Sequence, residues 1–136
     1  MKTSHLLGAD QHHPLAACLG GIEGLDFAIL FGSRATGQAH AESDWDIAVK
    51  WQDVPSDSVE YFGRGESLRL AVAECLSIDP TCIDVADLQR AGLALRAAVA
   101  EEGIPLVGED SLAWALFLKR TWQDMEHWEL EKRYAP

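Results

Sequence analysis

The sequence predicts an α/β or α+β domain in which helices flank a small mixed β-sheet. Short apolar segments with the length of strands alternate along the chain with longer segments of helical periodicity. The chain has 136 residues, a length typical of one domain, and 48% of them are hydrophobic, which suffices for a core. We therefore predict a single domain over residues 1–136, with residues 1–13 loosely ordered.

Two apolar segments predict neighbouring strands. The first, LDFAILF, covers residues 25–31, and the second, WDIAVKW, covers residues 45–51. A Gly-Ser turn and a polar connection separate them, and a helix is expected to start after the turn. Gly63 and Gly65 are expected to interrupt a later helix. The other predicted elements are a third strand at 81–86, an edge strand at 104–107, and helices at 15–19, 66–76, 88–102 and 112–134.

Asp44 and Asp46 lie immediately before and inside the second predicted strand. Because side chains of an extended chain alternate, carboxylates two residues apart lie on one face of the strand. Adjacent carboxylates raise each other's pKa unless a cation lies between them. Mg²⁺ prefers oxygen ligands and usually takes one or two carboxylates together with substrate phosphates. The pair therefore predicts a magnesium site.

Gly32 and Ser33 end the first predicted strand, and ten residues separate Ser33 from Asp44. A glycine lets the backbone approach a ligand closely, and a serine donates hydrogen bonds to phosphate. A helix that starts at this point would favour an anion at its N-terminus. These two residues are therefore candidates for phosphate binding beside the carboxylate pair.

The segments FGSRATG and SDWDIAV resemble the motif of minimal nucleotidyltransferase (MNT) domains in the DNA polymerase β superfamily. These are the antitoxins of HEPN–MNT toxin–antitoxin pairs, and the resemblance extends from about residue 15 to residue 134. It implies a polymerase β-type fold whose sheet carries three carboxylates. In that family the third carboxylate lies on a strand beside the first pair, and the corresponding residue is Asp84. Asp87 is the alternative, which we interpret as a helix N-cap.

The resemblance also implies the reaction. The protein would act as an antitoxin that transfers AMP from ATP to a tyrosine of a HEPN ribonuclease toxin. Two Mg²⁺ ions would assist the transfer, and Asp84 would be the general base. Arg34 would help to neutralise the phosphates, or would simply lie on the surface of the turn. The expected site residues are the catalytic and metal-binding Asp44, Asp46 and Asp84, and the nucleotide-binding Gly32, Ser33 and Arg34.

The net charge of −11 argues against direct nucleic-acid binding, which needs Lys and Arg to neutralise phosphates. It permits a basic protein partner, so we expect a hetero-oligomer with the toxin, with a homodimer as the alternative. The sequence shows neither a secretory signal nor an apolar stretch that approaches the length of a membrane span. We therefore expect a cytoplasmic protein without membrane contact.

Two other functions remain open from the sequence. The same fold could neutralise a toxin by masking it without catalysis, or it could modify a small molecule, as aminoglycoside nucleotidyltransferases do. Three clustered carboxylates favour the enzyme. The scattered cysteines at positions 18, 75 and 82 are expected to be buried reduced thiols. Of the tryptophans in the last helix, Trp114 and Trp122 are expected in the core, and Trp128 is a candidate for a partner surface.

Overall fold

In a computed structural model that describes the backbone of residues 9–135 and the side chains of residues 14–135, four strands form one mixed sheet. The strands lie in the order β3-β2-β1-β4. β1 is antiparallel to both of its neighbours, whereas β2 and β3 are parallel. The predicted fold class is confirmed. The elements are α1 (Ala9–Gly20), β1 (Leu25–Phe31), α2 (Ser33–Thr36), β2 (Trp45–Trp51), α3 (Ser58–Leu76), β3 (Ile83–Asp87), α4 (Leu93–Glu102), β4 (Ile104–Val107) and α5 (Leu112–Tyr134).

The sheet buries a hydrophobic core on each of its faces. On one face, α1 and α3 pack against Leu30, Ile47 and other residues of β1 and β2. On the other face, α4 and α5 pack against Phe27 and Ile29 of β1 and Ala48 of β2. Because strand side chains alternate, Asp46 lies on the same face as Ala48, toward α4 and α5.

The strands confirm most of the sequence prediction. β1 and β2 have the predicted bounds, and β4 forms an edge of the sheet, where Pro105 is tolerated because an edge strand has unpaired N–H positions. β3 begins at Ile83, two residues later than predicted. The preceding residues form a 3₁₀ turn, whose first amide, that of Thr81, donates to the Asp79 carboxylate at 2.9 Å.

Two helices begin earlier than predicted. α1 starts at Ala9, so residues 9–13 are helical rather than loosely ordered, and Pro14 lies inside the helix. Residues 1–8 lie outside the described residues. α3 is continuous through Gly63 and Gly65, so the predicted interruption was wrong. An interior glycine costs only about 1 kcal/mol, which the Asp57 N-cap and the packing of this long helix offset.

The prediction that Asp87 caps a helix beginning at residue 88 was wrong. Asp87 is the last residue of β3, and its carboxylate accepts a hydrogen bond from the Gln89 amide at 2.9 Å. The Arg90 amide bonds the Asp87 carbonyl, which closes a turn. α4 therefore begins only at Leu93, after Gly92.

Some of the predictions for the cysteines and tryptophans were wrong. Cys75 is exposed, and the other two cysteines are half-buried, so the expectation of buried thiols was wrong. Trp114 is in the core as predicted, but Trp122 is 43% exposed, so its predicted place in the core was wrong. Trp128 is exposed. Among the described helices, none has the length and apolar character needed to cross a bilayer.

Candidate active site

The turn after β1 brings the backbone directly against a carboxylate. Gly32 has φ +78° and ψ −157°, a conformation that is essentially restricted to glycine, and it leads into the short helix α2. A Cβ atom at this position would lie 3.2 Å from Cγ of Asp46 and would overlap its carboxylate oxygen. Gly32 therefore leaves the space in which the Asp46 carboxylate sits.

The strand register gathers the carboxylates on one face. Phe31, at the end of β1, lies opposite Asp46 of β2, and Asp46 is in turn the register partner of Asp84 in β3. Neighbouring strands are about 4.8 Å apart, and partners in register point to the same face. Asp44 precedes Asp46 by two residues. Asp46 is half-buried, whereas Asp44 and Asp84 are exposed. Asp84 is exposed because β3 is an edge strand.

Burial raises the pKa of Asp46, and the negative charges of Asp84 and Asp44 raise it further. Within the residues that the structure describes, no lysine, arginine or histidine forms an ion pair with any of the three aspartates. An uncompensated cluster of carboxylate oxygens fits a hard divalent cation such as Mg²⁺. The donor chemistry of the predicted metal site is therefore present.

The geometry of a complete metal site is not preformed. In the described part of the chain, no three acidic, histidine or cysteine side chains already stand close enough to share one metal ion. Asp46, which feels the charge of both other aspartates, would be the central ligand. Asp44 and Asp84 are exposed, so their side chains are free to change rotamer when a cation binds.

Arg34 has a different environment from the predicted one. Its guanidinium donates to the Ser43 carbonyl at 2.9 and 3.2 Å and to the His40 carbonyl at 3.3 Å. It also lies 4.2 Å from the centre of the Trp45 ring. The Ser43 hydroxyl accepts a hydrogen bond from the His40 amide at 2.9 Å, which helps to order the loop. Arg34 therefore holds the connection that delivers Asp44, and phosphate neutralisation by it stays a prediction.

A cavity of about 710 Å³ opens on the same face of the sheet, beyond Ala48. Lys50 lies in its wall and donates a hydrogen bond to the Asp26 carboxylate at 2.7 Å. The β-bulge between Leu25 and Phe27 brings Asp26 within reach of Lys50. This cavity was not predicted from the sequence. The alternation of Asp46, Ala48 and Lys50 predicts that their side chains share a face of the sheet. The sequence does not predict that α5 packs over that face.

The sequence of residues 16–112 matches the family described as Polymerase beta, Nucleotidyltransferase. The chain belongs to this nucleotidyltransferase family. This chain is 30% identical over 101 residues to a curated relative, the Protein adenylyltransferase MntA of Aphanizomenon flos-aquae (strain 2012/KM1/D3). The match covers 71% of this chain and 65% of MntA, so it spans slightly less than two thirds of the length of that relative.

Solved structures of toxin–antitoxin complexes are similar to this nucleotidyltransferase. A chain of a toxin–antitoxin structure with AMP-PNP has 28% identity and a TM-score of 0.69, over 90% of this chain and 92% of the other. A chain of the tri-AMPylated Shewanella oneidensis HEPN toxin in complex with MNT antitoxin has 25% identity and a TM-score of 0.63, over 90% of each chain. The resemblance to MNT domains that the motifs indicated is confirmed.

Replacing Asp46 with Asn is expected to raise the Tm of the metal-free nucleotidyltransferase by a few degrees at neutral pH. The fold raises the pKa of Asp46, so the ionised carboxylate destabilises the folded state wherever it is ionised. This cost decreases as the pH falls through the raised pKa and is absent below the ordinary value of 3.8. The advantage of the variant should therefore shrink toward zero in acid. Thermal melts in EDTA across this pH range measure it.

The matched control is Glu42→Gln, which removes one exposed negative charge from the same connection. It should leave the Tm nearly unchanged at every pH. A lower Tm for Asp46→Asn than for the parent at neutral pH would show that the carboxylate is not repelled in the folded protein.

Proposed function

We propose that this nucleotidyltransferase is an antitoxin that transfers AMP from ATP to a tyrosine hydroxyl of a cognate HEPN toxin. The observation that carries the proposal is the position of Asp46, against Gly32 and between Asp84 and Asp44. Similarity to the adenylyltransferase MntA, and to chains of complexes that contain AMP-PNP or an AMPylated toxin, supports the nucleotide and the acceptor.

Gly32 and Ser33 would bind the β- and γ-phosphates of ATP. Because Gly32 has no side chain, the triphosphate can approach the backbone at the point where Asp46 lies. Ser33 begins α2 and is half-buried, so its hydroxyl is held close to the same turn. These contacts would place the α-phosphate over Asp46 and Asp84, which is the positioning that phosphoryl-type transfer requires.

Asp44, Asp46 and Asp84 would hold Mg²⁺, and we propose two ions for the three carboxylates. Bound Mg²⁺ supplies positive charge that stabilises the phosphates in the transition state and favours ionisation of the acceptor hydroxyl. Without it, three carboxylates would repel a triphosphate. The protein's own part is to fix the carboxylates through the strand register and through the Arg34 contacts with the Asp44 connection.

Asp84 would act as the general base. Its carboxylate accepts the proton of the tyrosine hydroxyl, and the tyrosine oxygen forms a bond to the α-phosphorus of ATP. The bond between the α-phosphorus and its bridging oxygen breaks, and pyrophosphate leaves. Asp84 is exposed on an edge strand, so a residue of another protein can reach it. This placement suits a macromolecular acceptor.

The assembly follows from the same reasoning. The described residues form the sheet and its flanking helices, and the proposed acceptor lies on another polypeptide. A hetero-oligomer with the toxin is therefore proposed, with a homodimer as the alternative. The net charge of −11 disfavours direct binding to nucleic acid. Cytoplasmic location stays a prediction.

Label transfer from α-labelled ATP and Mg²⁺ to the co-encoded toxin tests the proposed function. The expected result is label on the toxin with the parent protein and none with the Asp44→Asn/Asp46→Asn double variant. If the double variant still binds and silences the toxin as well as the parent does, neutralisation occurs by masking. If the parent labels no protein but modifies a small hydroxyl compound, the aminoglycoside-type activity replaces the proposal.

A further inference from the structure

Cys18 and Cys75 lie near the ends of two helices that pack together on one face of the sheet. Cys18 is two residues before the end of α1, and Cys75 is one residue before the end of α3. Leu15 and Leu19 of α1 share a buried core with Val72 of α3. Because residues three and four apart lie on one side of a helix, Cys18 and Cys75 belong to the sides on which the two helices meet.

The Cys18 sulfur contacts α3 within one turn of Cys75. Its Sγ atom donates a hydrogen bond to the Ala71 carbonyl at 3.5 Å, and Ala71 precedes Cys75 by four residues, on the same side of the helix. The Cys75 thiol also interacts directly with the Cys18 thiol. Burial is the largest cause that raises the pKa of Cys18 to about 12, and the hydrogen bond with Cys75 is the next. The packing of α1 on α3 therefore places two thiols side by side.

The two thiols differ in their access to solvent. Cys75 is exposed, so a dissolved oxidant reaches its sulfur directly. Cys18 is half-buried, and its raised pKa keeps it protonated at neutral pH. An exposed cysteine that is oxidised first, with a second thiol beside it, is the arrangement in which oxidation ends in a disulfide.

We propose that Cys18 and Cys75 are a reversible oxidation site, at which a peroxide converts the two thiols into a disulfide that joins α1 to α3. The Cys75 sulfur attacks the peroxide, the O–O bond breaks, and Cys75 becomes a sulfenic acid while the peroxide is reduced to water or an alcohol. The Cys18 sulfur then bonds to the Cys75 sulfur. The S–O bond breaks, and the departing hydroxide takes the Cys18 proton and leaves as water.

The disulfide would enclose a large part of the domain. Residues 18–75 include β1, the Gly32 turn and β2. A cross-link that closes a long loop restricts the unfolded chain, so the oxidised protein should have a Tm several degrees higher than the reduced protein. Asp46 faces α4 and α5, whereas α1 and α3 cover the opposite face of the sheet. The inference is therefore independent of the proposed AMP transfer.

The test uses the full chain, reduced and freed of reductant, and then treated with hydrogen peroxide in small excess. The readouts are the number of free thiols, the intact mass, the Tm, and the linked peptides after digestion without reductant. A protease that cleaves before aspartate separates Cys75 from Cys82, because Asp79 lies between them. Cys82→Ser is the matched control, since Cys82 is half-buried like Cys18 but lies in the turn before β3.

The parent should fall from three free thiols to one, lose the mass of two hydrogen atoms and yield a peptide that links Cys18 to Cys75. Cys82→Ser should form the same link, whereas Cys18→Ser and Cys75→Ser should form no disulfide within the chain. Dithiothreitol should restore the mass and the Tm of the reduced parent.

Four results would overturn the inference. They are a link to Cys82, a dimer joined through Cys75, oxidation of Cys75 to a sulfinic acid while Cys18 stays free, and a Tm that falls when the two cysteines are linked. The peptides and the melts of the parent alone distinguish these results, so the test does not depend on the folding of the serine variants. AMP transfer is not among the readouts, so failure of the proposed function would leave this result unchanged.

Discussion

Replacing Asp46 with Asn is expected to reduce AMP transfer to the toxin by about a thousandfold or more while the domain stays folded. Asp46 is the carboxylate that touches Gly32 and feels the charges of both Asp44 and Asp84, so it is the residue through which metal and triphosphate would meet. Loss of a central charge in a phosphoryl-transfer site removes several kcal/mol of transition-state stabilisation, and each 1.36 kcal/mol is about tenfold in rate. The measurement is kcat/KM for the toxin under Mg²⁺.

Matched variants separate this role from a general effect of charge. Asp44→Asn and Asp84→Asn should cause comparable losses, whereas Glu42→Gln in the same connection should not. Asp87→Asn tests the alternative third carboxylate. The Asp87 side chain bonds the turn after β3 and follows Asp84 by three residues, so it points away from the Asp46 face. Its variant should keep near-normal turnover. Turnover above a tenth of the parent's for Asp46→Asn would refute the assignment.

The parts of the site that were predictable are those encoded by short-range patterns. Two apolar segments of strand length surround the turn at Gly32 and Ser33, and alternation alone places Asp44 and Asp46 on one face. The structure places Asp46 and Asp84 in register, as the third-carboxylate assignment required. The register itself depends on which strands become neighbours, and the residues of one strand do not specify this.

The parts that were not predictable depend on long-range packing. The residues around Asp84 in the sequence are mostly apolar, but β3 is an edge strand and Asp84 is exposed. The desolvated member of the cluster is Asp46, whose pKa is raised. Arg34 was expected to help neutralise the phosphates or to lie on the surface of the turn, yet its guanidinium donates a hydrogen bond to the carbonyl of Ser43. In each case a distant segment decides the environment of the side chain.

The environment of the α5 side chains beside the cavity was likewise not predictable from the sequence. The apolar residues of α5 fall on separate lines along the helix surface, and Trp114 was correctly predicted to lie in the core. The line through Leu112 and Leu116 looks equally apolar in the sequence but remains exposed, because the helix contacts the sheet only through the neighbouring line. An exposed apolar line is recognisable only after the buried one is known, so the sequence did not distinguish the two lines.

Replacing Gly32 with Ala is expected to lower AMP transfer by about a hundredfold or more and to destabilise the domain by about 1–3 kcal/mol. The backbone of Gly32, with φ +78° and ψ −157°, is strained for any residue with a Cβ. The new methyl group would also occupy the position of the Asp46 carboxylate and displace it. A displacement of about 1 Å in a positioned group suffices for a hundredfold loss of rate. Steady-state transfer assays and thermal melts measure the two effects.

Gly63→Ala is the matched control, because it adds the same methyl group where the Cβ would meet nothing within 4 Å. Gly63 lies inside α3, so alanine should stabilise the helix by about 0.5–1 kcal/mol and leave transfer unchanged. The comparison isolates contact with Asp46 as the cause of the loss. If Gly32→Ala retained the parent's kcat and raised only the KM for ATP, then the methyl group would block the phosphates without moving Asp46. The turn would then bind ATP but would not position the catalytic carboxylate.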